Sequence, residues 1–169
     1  EGGDEVVVLP QGVEGRVRGL QTHQHKIQVA VPGSRTAVNI SGIDVDQIQR
    51  GDVVAHPGDY RPTRRLDVHF RLLSAVRQPL EHNTEMKLFL GAAERVARVR
   101  LLGVDLLRPG EEAWLQLELK QPIVTIRKDR YILRRPSPPE TIGGGSVLDP
   151  HPRGRYKRFD IDVLDRFEA

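Results

Sequence analysis

Five cationic side chains, Arg127, Lys128, Arg130, Arg134 and Arg135, fall within nine residues. A turn followed by a strand can present several of them to successive phosphates of a nucleic-acid backbone, each contact displacing a counterion. The alternative is a solvated strand face with scattered ion pairs. Composition leaves the same two possibilities open. Of 26 Lys and Arg residues 21 are arginine, whose planar and permanently charged fork suits phosphate, but arginine also serves simply as a surface cation. Arg98 and Arg100 share a strand face with Val96 and read as structural.

The glycines Gly143, Gly144 and Gly145 raise a different chemistry. A phosphate-cradling loop needs a lysine and a hydroxyl residue directly after its last glycine, opening a helix whose N–H groups face the phosphates. Here Ser146-Val147-Leu148-Asp149-Pro150 follows, β-forming residues and then a proline stop, so the run is expected inside a strand. Glycine there tolerates sharp coiling and lets a neighbouring backbone approach where a Cβ would collide.

Metal and nucleophile chemistry find less support. His23 and His25 would share one strand face, but His56, His69, His82 and His151 show no ligand spacing. The chain has no cysteine, which removes disulfides and thiolate sites together. Spacing suggests no Ser-His-Asp grouping.

The elements that must position these residues read as strands. Val6-Val7-Val8-Leu9, Lys26 to Val31 and Thr36 to Ile40 are short apolar runs separated by Pro- and Gly-containing turns, a pattern of barrels or sandwiches rather than βαβ units. From Ala113 to Lys120 every odd position is apolar, while Gln116, Glu118 and Lys120 stand on the other face. Val68 to Leu72 and Met86 to Leu90 alternate likewise. Asp44-Val45-Asp46-Gln47 has capping-box spacing, with Gly51 placed to end a helical turn. Phe159, Val163 and Phe167, with Leu164 beside them, announce a C-terminal helix with nothing in the chain to pack against, as though it opened a further domain.

The expected fold is therefore all-β: two small antiparallel barrels, the first incomplete, with the start of a helix at the C-terminus. The turn-rich His56–Pro62 stretch divides residues 1–60 from 61–152, leaving 153–169 as a linker and the beginning of the next region. A first unit of this size is too small to close a barrel, so its exposed strand edges call for a partner, a second copy or another chain segment. No apolar run approaches the roughly 20 residues that span a bilayer, the first residues do not read as a leader, and a cytoplasmic home without membrane partners is expected.

The order "GDEVVVLP", "VRGLQTH", "VPGSRTAVNISGID", "IQRGDVVAHPG" resembles the later strands of domain 2 in elongation factor Tu-like translational GTPases. The second unit, through "RYILRRPSPPETIGGGSVLDPHP", resembles their domain 3, and the ending "TIGGGSVLDPHPRGRYKR" most resembles the selenocysteine-specific elongation factors. The resemblance covers nearly the whole chain. It implies a tRNA-binding module that, in an intact protein, acts with a GTP- and Mg-binding domain ahead of it and winged helices behind it, delivering selenocysteinyl-tRNA to the ribosome at a selenocysteine-insertion mRNA element. Neither a P-loop nor an Asn-Lys-x-Asp signature occurs in these residues, so no catalytic residue and no cofactor of this stretch is expected.

The same resemblance assigns Arg35, in "PGSRTAVNI", to the aminoacyl pocket. A selenol is ionised at neutral pH and serine is not, so a guanidinium there distinguishes charge rather than shape. Arg35 is also simply an arginine opening a strand after a Pro-Gly turn. The resemblance further places the loop before the glycine strand beside the tRNA T stem. Pro138-Pro139 replaces the glycine pair usual there and cannot donate N–H bonds. The remaining alternatives are another translational GTPase or a protein-interaction barrel pair without RNA.

Overall fold

The architecture comes from a computed structural model that describes residues 1–168. The chain divides into two compact units, Glu1–Arg61 and Pro62–Ala169.

The first unit holds β1 (Glu5–Leu9), β2 (Val13–Thr22), β3 (His25–Ile27), β4 (Ala37–Ser41) and β5 (Val53–Ala55). They form one antiparallel sheet ordered β3-β2-β1-β5, with β4 also paired to β2. It is an open sheet and not a second closed barrel. Its core is small, built on Val6, Val17 and Leu20 with Ile27 and Ile40 against them. The strand expected from Lys26 to Val31 ends at Ile27, and Val29 and Val31 are exposed. His23 sits in the turn before β3 with φ 46°, so it does not share a strand face with His25. The capping-box segment makes only a 3-10 turn, Val45–Gln47, where the Asp44 N–H donates to Gln47 Oε1 at 2.8 Å.

The second unit is built on β6 (Thr63–Leu72), β8 (Glu85–Leu90), β9 (Ala93–Leu102), β11 (Glu112–Ile123), β12 (Arg130–Arg135) and β13 (Glu140–Asp149). These six strands close a barrel in the order β11-β6-β13-β12-β8-β9, and the short β7 (Leu80–Glu81) and β10 (Leu106–Leu107) pair beside it. Closure follows from alternation. Leu66, Val68, Phe70 and Leu72 of β6 and Ala113, Leu115, Leu117 and Leu119 of β11 all point inward and are buried.

Gly143, Gly144 and Gly145 lie in β13, paired with Leu72, Arg71 and Phe70 of β6. A Cβ on Gly143 would strike the Arg71 carbonyl and the Phe70 ring, and one on Gly145 the His69 carbonyl. The space they leave is filled from neighbouring strands. Phe70 and Tyr131 stack with ring centroids 6.4 Å apart, and the Tyr131 hydroxyl donates to the His69 carbonyl at 2.8 Å. Two large aromatic residues thus occupy the interior, with strand backbones passing close to the glycines.

The helix α1 (Ile161–Glu168) corrects the expectation of an unpacked end. Val163 is buried, Phe167 stacks on Trp114 of β11 at 6.0 Å, and the Gly103 N–H donates to the Arg158 carbonyl at 2.7 Å. Phe159 precedes the helix and is exposed. Residues 150–168 belong to the same unit as the barrel and lie against its outer wall. That explains Gln116, which alternation puts on the solvent face but which is fully buried beneath this segment. No described helix is long and apolar enough to cross a membrane.

Candidate nucleic-acid interface

The structure does not bring the five neighbouring cations into one cluster. Arg127 and Lys128 form the turn between β11 and β12, Arg130 opens β12, and all three are exposed. No ion pair engages any of them among the described residues. Arg134 and Arg135 stand at the far end of β12, about 13 and 17 Å from Arg130 at the rise of an extended strand.

Those two are committed to the fold. The Arg134 guanidinium lies over the Phe89 ring at 6.0 Å. Arg135 donates to the carbonyls of Gln78 and Pro79 at 3.0 and 3.2 Å, and its Nε stands 3.5 Å from Glu140 Oε2. Only 14% of that side chain is exposed. A strand extends its residues and turns alternate ones apart, so adjacency in sequence is not proximity of charge.

The Arg127–Lys128 turn is held from inside by Asp129. One carboxylate oxygen, Oδ2, accepts from Thr125 Oγ1 at 2.8 Å and from the Ile126 N–H at 3.0 Å. The backbone is tied to β13 by Lys128 N–H to the Val147 carbonyl at 2.8 Å and Val147 N–H to the Asp129 carbonyl at 2.9 Å. Lys128 takes φ +75°, a left-handed conformation costly for a residue with a Cβ, and these bonds hold it. The result is a turn with fixed shape and two unpaired charges at its tip. Arg64, exposed near the start of β6, joins this end of the barrel because the register pairs Thr63 with Ile123. The sequence reading missed Asp129 and Arg64. Asp129 reaches back three and four residues to Ile126 and Thr125, opposite in direction to the Asx turn that a sequence pattern flags.

Arg35 lies in the exposed segment between β3 and β4. The preceding turn is set by Gly33 at φ +79° and by Ser34 Oγ donating to the Val31 carbonyl at 2.7 Å, and Thr22 Oγ1 donates to the Arg35 carbonyl at 3.0 Å. These bonds fix the backbone and leave the guanidinium to solvent. The proline-rich turn Pro136–Pro139 is exposed between β12 and β13. Among the described residues no three His or carboxylate side chains gather as a metal site.

A turn with fixed backbone and uncompensated cations can meet an anion without reorganising, and its exposure leaves room for an extended one. Comparison with known proteins narrows the setting. Residues 66–154 match the family described as the selenocysteine-specific elongation factor beta-barrel domain, and residues 1–55 match elongation factor Tu domain 2. A selenocysteine-specific elongation factor from Desulfomicrobium baculatum is 39% identical over 99% of this chain, which covers 26% of that relative. Elongation factor 1-alpha from Archaeoglobus fulgidus is 32% identical over 89% of the chain, covering 40% of its own length. The chain therefore spans well under half of either relative. With its closed barrel matching over more than half of the chain and the likeness running nearly end to end, the chain belongs to the selenocysteine-specific elongation factor family, as the β-barrel portion of such a protein.

Proposed function

We propose that this chain is the tRNA-binding barrel portion of a factor that delivers selenocysteinyl-tRNA to the ribosome in a GTP-dependent way. GTP and Mg would be bound elsewhere in the longer protein, the selenocysteine-insertion mRNA element would be reached through it, and the setting would be cytoplasmic. The observation that carries the reading is the Asp129-pinned turn with Arg127, Lys128 and nearby Arg130, all exposed and without ion-pair partners on a barrel of this family. Arg134 and Arg135 support the strand that carries the turn. Arg35 would read the ionised selenol of the aminoacyl group, which its exposed guanidinium favours over a neutral hydroxyl.

A second reading, the equivalent barrels of another translational GTPase, draws on the likeness to elongation factor 1-alpha. Equilibrium binding of this chain to selenocysteine tRNA and to an ordinary elongator tRNA, across a salt series, tests both. Salt-sensitive binding that favours selenocysteine tRNA is the expected result. Equal binding of the two supports the second reading, and absence of binding to either defeats both in favour of a protein-interaction module.

A further inference from the structure

The buried polar group that RNA binding leaves unused is Asp67. It occupies an outward position on β6, between the inward Leu66 and Val68, yet is only 1% exposed because residues 153–168 cover it. We propose that this C-terminal segment is a releasable strap on the barrel, and that the protonation state of the carboxyl beneath it sets how firmly it docks.

The strap is held mainly by hydrogen bonds around one amide. Gln116 Nε2 donates to Asp67 Oδ1 at 2.9 Å and to the Gly154 carbonyl at 3.0 Å. Its Oε1 accepts from Arg100 at 2.8 Å and from the Tyr156 N–H at 3.3 Å, and Arg100 also donates to the Tyr156 carbonyl at 2.8 Å. Further along, Arg158 donates to the carbonyls of Leu101 and Val104 at 3.1 and 2.7 Å. Val163 is the one buried apolar side chain of the strap. On release water replaces most of these hydrogen bonds, so their net contribution is modest and the segment belongs with structure that opens locally before the barrel unfolds.

The carboxyl opposes docking when charged. Gln116 uses its whole hydrogen-bonding capacity, whereas Asp67 Oδ2 has no partner of hydrogen-bonding geometry. The groups facing it are Gln116 from β11, Tyr156 from the strap, Asp149 from β13 and Arg166 from α1. Burial is the largest influence and Asp149 adds to it, against the favourable Gln116, Tyr156 and Arg166, so the group is pushed up to about 6. An uncovered aspartate returns toward 3.8. By linkage the docked strap binds the proton more tightly than the open one, and docking gains about tenfold from pH 8 to pH 5.

The chain carries one tryptophan, Trp114, and it stacks on the strap through Phe167, so the protein reports its own docking. The test is a titration of the whole chain from pH 4 to 8, following the Asp67 carboxyl by carbon-13 NMR and Trp114 emission in parallel. Asp67 is expected to titrate near pH 6 in the unaltered chain and at a lower pH in Phe167→Ala, by an amount set by the fraction of chains whose strap is open. Asp67→Asn, which keeps the shape and removes the charge, is expected to stay docked and to lose the response near pH 6, leaving only the opposite response of His82, whose ring is held down in part by Arg158 and Arg155 of the strap. The same carboxyl midpoint in both chains, a pH response of emission unchanged by Asp67→Asn, or a strap undocked in that variant would each overturn the proposal.

Discussion

Trp114 of β11 and Phe167 of α1 stack with ring centroids 6.0 Å apart and planes inclined by 28°. Tyr156 meets the same Phe167 ring edge-on at 6.4 Å, and Arg166 lies over Tyr156 at 5.4 Å. A helix of eight residues cannot persist alone in water, so this aromatic group, with the buried Val163 and the hydrogen bonds earlier in the strap, keeps α1 folded against the barrel. Phe167→Ala is expected to remove about 1–2 kcal/mol of local docking free energy. The loss will appear as faster amide exchange at Gly103, whose N–H bonds to Arg158, with the barrel's own denaturation midpoint little changed. A matching fall in exchange protection across β6 and β11 would show instead that strap and barrel unfold as one.

The glycine strand predicts a contrast between neighbouring substitutions. Gly143→Ala and Gly145→Ala each drive a methyl into the backbone of β6, which cannot yield without breaking the ladder. Each is expected to cost at least about 3 kcal/mol. Gly154→Ala, with nothing within 4 Å of the added carbon, is expected to stay within about 0.5 kcal/mol. Urea denaturation of the three variants measures this, and a tolerated Gly145→Ala would mean that β13 and β6 can separate without loss of the barrel.

The barrel walls were readable because apolar residues stand at every second position through 66–72 of β6, 86–90 of β8 and 113–119 of β11. Phe70, Leu88 and Leu117 are fully buried where that alternation puts them. Gln116 was not readable, since its burial depends on a segment about forty residues later in the chain that crosses the outer wall. The separation of the five cations was hidden for a related reason. Nothing local in "RYILRR" says that Arg135 turns toward the Gln78 and Pro79 carbonyls while Arg130 stays exposed. The open first sheet is a case of short strands defeating pattern, because three paired residues in β3 leave Val29 and Val31 in solvent.

The separation of cations makes opposite predictions for the two ends of β12. Arg127→Ala with Lys128→Ala is expected to leave stability unchanged, weaken RNA binding, and reduce the slope of log affinity against log salt by about 1.4 to 1.8. Arg135→Ala is expected to cost about 1–3 kcal/mol of stability, since the Gln78 and Pro79 carbonyls lose their donor, with the salt slope preserved. Asp129→Ala stands between: the cations remain but the turn loses both bonds to its carboxylate. Its affinity should fall while the slope stays near that of the unaltered chain. Salt-series binding with parallel denaturation separates the three, and a slope unaffected by the Arg127/Lys128 pair would move the phosphate contact off this turn.

His82 gives the pH dependence a second component with the opposite sign to Asp67. Its Nδ1 accepts the Leu101 N–H at 3.2 Å, which requires that nitrogen to be unprotonated, and burial followed by the charges of Arg158, Arg100 and Arg155 holds the ring below its usual 6.5. The folded chain therefore prefers neutral imidazole. Its contribution is fully present above pH 6.5 and is lost as the pH falls toward the lowered midpoint. Asp67, raised to about 6, gains stability for the docked form as the pH falls from 6 toward 3.8, so the two oppose each other on mild acidification. His82→Gln retains an oxygen acceptor for the Leu101 N–H and cannot charge. Between pH 7 and pH 5 its denaturation midpoint should therefore rise relative to that of the unaltered chain, whereas strap docking in Asp67→Asn, followed by Trp114 emission, should fall relative to it. If the His82→Gln difference is constant across that range, the ring has the same proton affinity folded and unfolded, and the acid response belongs to Asp67 alone.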